Sequence, residues 1–175
     1  MSAPFSVKGV ANAFLKRSFD DGVPVSPMKL QKLVFLAHGY HLAVKDGEPL
    51  VSDSFEAWPF GPVSEPLYHE FKSYGGDSID ELATEFSGEI EKGELELVPV
   101  RSSDIDPSAK KITDFVWKTY KNWSARELSD LTHKRGWAWD RIREERPNQR
   151  SLVIPNEYIR DDFKEVVKKK SEVAA

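Results

Sequence analysis

Apolar residues recur with a helical period over most of this chain and with a strand period in one short stretch. Val7, Val10, Ala11, Phe14, Leu15 and Phe19 follow i, i+3, i+4, i+7, i+8 and i+12. That spacing predicts a helix with one apolar stripe, stopped near Gly22 and Pro24. Ser26-Pro27 then forms a start signal, a capping side chain followed by proline in the first turn. In the helix it opens, Leu30, Leu33, Val34, Phe35, Leu36, Ala37, Tyr40, Leu42 and Ala43 cover most of the circumference up to Val44. A helix that is apolar nearly all round packs on several sides, so this one is expected at the centre. Asp46-Gly47 ends it in a turn.

Beyond Glu48 the period shifts. Phe55, Ala57 and Pro59 alternate with Ser54, Glu56 and Trp58, which predicts a short strand or hairpin, with Gly61-Pro62 as its turn. Leu67, Tyr68, Phe71 and Tyr74 mark a further helix closed by Gly75-Gly76. Between Asp77 and Leu97 the pattern is ambiguous. Ile79, Leu82, Ala83 and Phe86 fit the inner face of a short helix, a loose excursion is the other reading, and Glu94–Val100 alternates weakly like a strand. Pro107 opens a helix expected to turn Ile112, Phe115, Val116 and Tyr120 inward. Ser124-Ala125-Arg126-Glu127 reads as a capping box before Leu128, Leu131 and Thr132. Trp137 and Trp139 begin a segment up to Arg146, and a last helix after Pro155 carries Ile159, Phe163, Val166 and Val167. The fold class expected is therefore mainly α: a compact helical single domain, residues 1–175 with a core of about 7–168, with a small β-hairpin or short strands after the second helix.

Composition narrows the function. The longest apolar run, Leu33–Ala37, is too short to span a bilayer, and Met1–Val7 lacks a basic-then-apolar leader, so the expectation is a cytoplasmic protein without a membrane partner. The chain has no cysteine, which excludes a disulfide framework, a thiolate zinc site and a cysteine nucleophile. Its net charge of −4 disfavours a nucleic-acid partner and an autorepressor role. Charge is unevenly spread. Asp77, Asp80, Glu81, Glu85, Glu89, Glu91, Glu94 and Glu96 face a single Lys92, whereas Arg141, Arg143, Arg146, Arg150 and Lys168–Lys170 make the C-terminal part locally basic. Such runs are usually solvated faces, but the acidic one would suit a basic partner.

Candidate chemistry is sparse. None of the nucleophile-elbow, phosphate-loop, dinucleotide or zinc-helix signatures occurs. His38 and His41, three apart on the central helix, share a face that could chelate a metal; the simpler reading is that both are satisfied at the edge of the core. His133 with Asp130 could form a general base and its orienter, yet no nucleophile is fixed nearby. Trp58, Phe60, Tyr68 and Phe71 surround the rigid Pro59, Gly61 and Pro62; they fit a core, with an exposed minority left to bind.

Three ordered stretches resemble one family. Pro27-Met28-Lys29-Leu30-Gln31-Lys32-Leu33-Val34-Phe35-Leu36-Ala37-His38-Gly39-Tyr40-His41-Leu42-Ala43 resembles the hallmark helix of the Panacea domain of SocA-like, prophage-associated antitoxins. Phe55-Glu56-Ala57-Trp58-Pro59-Phe60-Gly61-Pro62-Val63, followed by Leu67-Tyr68, is similar to its second motif, and Leu128-Ser129-Asp130-Leu131-Thr132-His133 with Trp139 to its third. The resemblance runs from about Val7 to Phe163 and is weakest at Asp77–Leu97. It implies a helical antitoxin, encoded beside a toxin, that neutralises a cognate protein toxin by direct binding, with no enzymatic activity and no cofactor. It marks Lys29, Gln31, Lys32, Tyr40, Trp58, Phe60, Gly61, Pro62, Val63, Tyr68, Thr132, His133 and Trp139 as signature and candidate toxin-binding positions. Lys29, Gln31 and Lys32 would lie on an exposed strip of the central helix or reach buried carbonyls. An energy-dependent protease, to which the chain would deliver the toxin, is the alternative partner, and homo-oligomerisation is left open.

Overall fold

The computed structural model describes residues 2–174. It contains seven α-helices among them: α1 (Val7–Asp21), α2 (Pro27–Val44), α3 (Glu65–Phe71), α4 (Pro107–Tyr120), α5 (Ala125–Thr132), α6 (Ala138–Glu145) and α7 (Asn156–Ala174). Strands β1 (Glu56–Trp58) and β2 (Gly61–Val63) form one antiparallel hairpin; β3 (Thr84–Ser87) and β4 (Glu96–Pro99) form another. The mainly helical expectation holds. No described helix is long and apolar enough to cross a membrane.

α2 is the axis of the fold, as its all-round apolarity requires. It packs on α1, α3, α4, α5, α7 and β2, and residues 29–42 are all buried. The Ser26 hydroxyl accepts from the Lys29 amide at its start, with Pro27 in the first turn. α7 approaches so closely that a Cβ on Gly39 would fall inside the Phe163 ring. Phe35 and Tyr40 meet that ring edge-on, with centroids 6.0 and 5.1 Å away. Helix ends follow the expected capping chemistry. The capping box of α5 forms in both directions, Glu127 N–H to Ser124 Oγ at 3.1 Å and Ser124 N–H to Glu127 Oε2 at 2.7 Å. Asp106, which the sequence pattern does not single out, caps α4 by accepting from the Ala109 amide at 2.7 Å.

Several expected details differ. Phe19 is 43% and Phe115 41% exposed, each at the margin of its helix stripe, while Trp117, with its indole N–H on Asp21, takes the inward place on α4. The segment after Asp77 forms no α-helix, only a single 3₁₀ turn at Ile90–Lys92. Ile79 and Ala83 are buried, but Phe86 lies on β3 with its side chain 69% exposed. The turn of the first hairpin is Pro59-Phe60; Gly61 and Pro62 belong to β2. The histidine pair of α2 lies in the core. His38 Nε2–H donates to Asn156 Oδ1 at 3.0 Å and its Nδ1 accepts from the Val51 amide at 3.4 Å; His41 Nδ1 is 2.7 Å from the Glu48 carbonyl. No group of three or more metal-ligating side chains occurs among the described residues.

Burial holds His38 neutral, pushing it down to about 4. The unfolded chain therefore binds more protons between pH 4 and 6.5, and stability is lost as pH falls through that window, by about 3 kcal/mol in full. Urea titrations at pH 6.5 and 5 are expected to show this loss, and His38→Gln to show less of it. Gly39→Ala should lower stability by about 3 kcal/mol, because the Phe163 ring has nowhere to retreat; an unchanged urea midpoint would contradict that packing.

Candidate functional site

The Ala57–Ser64 hairpin is too short to stand alone, since a two-stranded ribbon is marginal in water. Its loop carbonyls have no cross-strand partner, so donors must come from elsewhere. They come from three helices. Arg143 Nη1 of α6 donates to the Ala57 carbonyl at 3.2 Å, and Trp139 Nε1 to the Trp58 carbonyl at 2.7 Å. His133, at the end of α5, places Nε2 3.1 Å from the Pro59 carbonyl, and Ser129 Oγ donates to the Phe60 carbonyl at 2.8 Å. From α2, Lys32 Nζ donates to the Pro62 carbonyl at 3.1 Å, while Gln31 pairs with Ser64 twice, Nε2 to O at 2.9 Å and Oε1 from N at 2.8 Å.

The clamp explains most of the signature. Lys29, Gln31 and Lys32 are all buried and reach carbonyls, with Lys29 Nζ on the Lys121 carbonyl, so the exposed-strip reading is corrected in favour of its alternative. The reason is geometric: α2 is surrounded, and a polar side chain on it can only end on a neighbour's backbone. Lys32 is 1% exposed and has no carboxylate partner, and burial pushes its ammonium down to about 7. Gly61 sits at φ 110°, where a Cβ would lie 2.8 Å from Thr132 Oγ1 and 2.9 Å from Lys32 Cε, so both the backbone and the space demand glycine. Thr132 Oγ1 in turn donates to the Ser129 carbonyl at 2.7 Å.

The hydrolase reading of His133 fails on geometry. Its Nδ1 faces the Ser129 carbonyl at 2.6 Å and its Nε2 the Pro59 carbonyl, so both ring nitrogens are committed to backbone and exposed Asp130 does not orient the ring. His133 also stacks on Trp139 with centroids 4.1 Å apart, and the Arg143 guanidinium lies 4.9 Å over the other ring of that pair, Trp139. Tyr40 belongs elsewhere: its hydroxyl pairs with that of Tyr120 at 2.8 Å inside the α2–α4 contact, and burial raises both phenols.

What the clamp presents is an apolar groove of about 430 Å³ between the hairpin, α2 and α3. Met28, Trp58, Phe60, Val63, Leu67 and Tyr68 form its apolar walls, and Lys32 and Lys72 are the charged residues among those lining it. Phe60 is 69% exposed and Tyr68 41%, while Phe71 is core. Trp58 is half-buried, stacked on Tyr68 at 4.7 Å and pinned through its indole N–H to Glu56 at 2.7 Å. Of this aromatic block, more is exposed than the core reading expects. Sequence reasoning missed Ser129 and Arg143 as clamp members and Met28, Leu67 and Lys72 as groove walls; Ser129 lay inside the third motif, which was the available signal.

The family model described as "Antitoxin SocA-like, Panacea domain" matches residues 30–140, the stretch that holds most of the groove and nearly the whole clamp. The chain belongs to the SocA-like antitoxin family with a Panacea domain. It is 35% identical over 136 residues to Antitoxin SocA of Caulobacter vibrioides (strain NA1000 / CB15N), an alignment spanning 77% of this chain and 69% of that protein. No solved structure matches it. In this member the second motif thus builds the hairpin, and the first and third supply donors to it.

Gly61→Ala should destabilise by about 2–3 kcal/mol or more, from the left-handed backbone and the collision with Lys32. Lys32 gives a pH signature of the opposite sense from an ion pair. Its folded value lies below the ordinary 10.5, so the unfolded chain holds more protons and stability rises with pH between about 7 and 10.5. Lys32→Met is expected to remove about 2 kcal/mol of the gain between pH 7 and 9, read by chemical denaturation at both values; an equal gain in both proteins would show the ammonium to be solvated.

Proposed function

We propose that this chain is a cytoplasmic antitoxin that neutralises a co-encoded protein toxin by binding it directly, with the groove beside Phe60 as a docking face. The observation that carries the reading is the clamp. In a member of an antitoxin family, six backbone carbonyls are held by side chains so that one loop offers an exposed phenylalanine over an apolar groove. A pre-organised loop loses little conformational freedom on association, which is where binding energy is otherwise spent. Exposed aromatics on a stiff frame are the residue type that dominates measured interfaces. Among the signature residues, Trp58, Phe60, Val63 and Tyr68 are then the toxin-facing set, and Gln31, Lys32, Gly61, Pro62, Thr132, His133 and Trp139 hold them in place. Nothing in this role requires a catalytic group or a cofactor.

Delivery of the toxin to an energy-dependent protease is the second reading. It draws on the C-terminal end of α7, where residues 168–173 are all exposed and carry Lys168, Lys169 and Lys170. Toxin half-life in cells with and without this protein separates delivery from occlusion.

The test is co-expression with the neighbouring open reading frame. That frame is expected to arrest growth alone, and this chain to restore growth and co-purify with its product. A harmless neighbour, or rescue without a complex, would overturn direct neutralisation. Phe60→Ala should weaken the complex about 30-fold without lowering the thermal midpoint, because Phe60 contributes little to the core. Undiminished affinity in that variant would remove the groove from the interface.

A further inference from the structure

The β3–β4 hairpin is built with its polarity reversed. Thr84, Glu85, Phe86 and Ser87 pair with Pro99, Val98, Leu97 and Glu96. Period-2 alternation then puts Phe86 and Leu97 directly opposite one another on one face and Glu85, Ser87 and Val98 on the other. The face with Glu85, Ser87 and Val98 turns toward the body, where those residues line a cavity of about 550 Å³ with Phe5, Gly9 and Val100. The apolar pair turns to solvent: Phe86 is 69% and Leu97 61% exposed, and Ile90 and Leu95 in the connection are 78% and 44% exposed. A half-buried ribbon ordinarily does the opposite, apolar residues in and polar residues out. The ribbon is nonetheless held firmly at its root. Asn12 of α1, fully buried, donates to the carbonyls of Ala83 and Val100 at 2.9 Å each and accepts from the Ala83 amide at 2.7 Å. Lys8 reaches the Thr84 carbonyl at 2.9 Å, and Glu70 of α3 accepts from the Thr84 amide at 2.8 Å.

We propose that this outward face of the β3–β4 hairpin is a second docking surface, distinct from the groove, and that it takes a basic, partly apolar segment of the toxin. The proposal rests on the antitoxin reading above. Charge selects the occupant. Glu89, Glu91 and Glu94 lie in the connection beside the apolar pair, Glu85 and Glu96 lie on the ribbon's other face but within a Debye length of it, and the one base of the hairpin, Lys92, is already bound to Glu89 at 2.9 Å. A second copy of this chain would bring its own carboxylates against these, a like-charge juxtaposition that disfavours self-pairing along the open edges. A partner with lysines or arginines flanking an apolar stripe meets both features at once, with the carboxylates steering encounter and the apolar pair slowing departure. α3 links the two surfaces: Leu67 and Tyr68 wall the groove, and Glu70 ties down the hairpin.

The probe is the product of the neighbouring open reading frame, titrated against the full-length chain at 50 and 300 mM salt. Affinity of the wild type is expected to fall as salt rises. Phe86→Ser with Leu97→Ser should weaken binding about 100-fold at either salt and keep the salt dependence. Replacing Glu85, Glu89, Glu94 and Glu96 by glutamine, which leaves the apolar pair and the strand pairing intact, should weaken binding mainly at 50 mM and flatten the salt dependence. If both variants bind as the wild type while Phe60→Ala loses affinity, the hairpin proposal falls and the antitoxin reading stands. If the wild type itself forms no complex, both fall. A change of self-association by light scattering, with toxin affinity unchanged, would make a second copy the occupant and overturn the proposal.

Discussion

Peptide carbonyls in a tight loop have few partners of their own, and in this protein that shortage organises the tertiary structure. The carbonyls of Ala57, Trp58, Pro59, Phe60, Pro62 and Ser64 are answered by side chains from α2, α5 and α6. Each bond contributes only about 1 kcal/mol, but a buried carbonyl left unanswered costs more than the bond gains. Three helices far apart in sequence are thereby required to converge on the backbone of six residues. α2 can supply two of the donors only because it runs through the middle of the molecule, and it runs there because it is apolar on every side.

This arrangement accounts for the family signature in physical terms. Lys32 is the costliest member, a cation 1% exposed with no counter-charge. A methionine would fill the same volume but would leave the Pro62 carbonyl without its donor, and Gly61 admits no side chain above it. Most of the motif residues are therefore coupled to one another through the hairpin. Lys29, whose ammonium ends on the Lys121 carbonyl, and Tyr40 are the exceptions among them. The Tyr40 hydroxyl bond to Tyr120 ties α2 to α4 on another side of the core.

Much of the fold is legible in the sequence because helical stripes, caps and breakers act locally. The Ser26-Pro27 start, the Ser124–Glu127 capping box and the alternation around Ala57 all appear where the pattern puts them. Marginal positions are less legible. Phe19 and Phe115 continue their stripes in projection yet stay partly exposed, Phe115 with one edge on Tyr40. The clamp is scarcely readable at all, since a side chain that bonds to backbone finds no complementary residue type to betray it. Arg143 reads as part of a basic run, and Asn12 as a stray polar residue on an apolar stripe, until the carbonyls they serve are seen. The β3–β4 hairpin is read in part: the weak alternation at Glu94–Val100 is β4, whereas the inward placing of Phe86 fails. Phe86 and Leu97 suggest burial by their chemistry and are placed outside by the register.

The clamp grips atoms that every amino acid shares. Because its donors end on carbonyl oxygens, the side chains of Pro59 and Phe60 at the tip are untouched by it and free to change identity. On the proposed docking role, a frame of this kind separates heritable architecture from negotiable surface: drift at the tip would alter what is recognised without disturbing how the loop is held. Substitution at those two positions would therefore be a route to exchanging one recognised protein for another, with the same helices and the same bonds beneath.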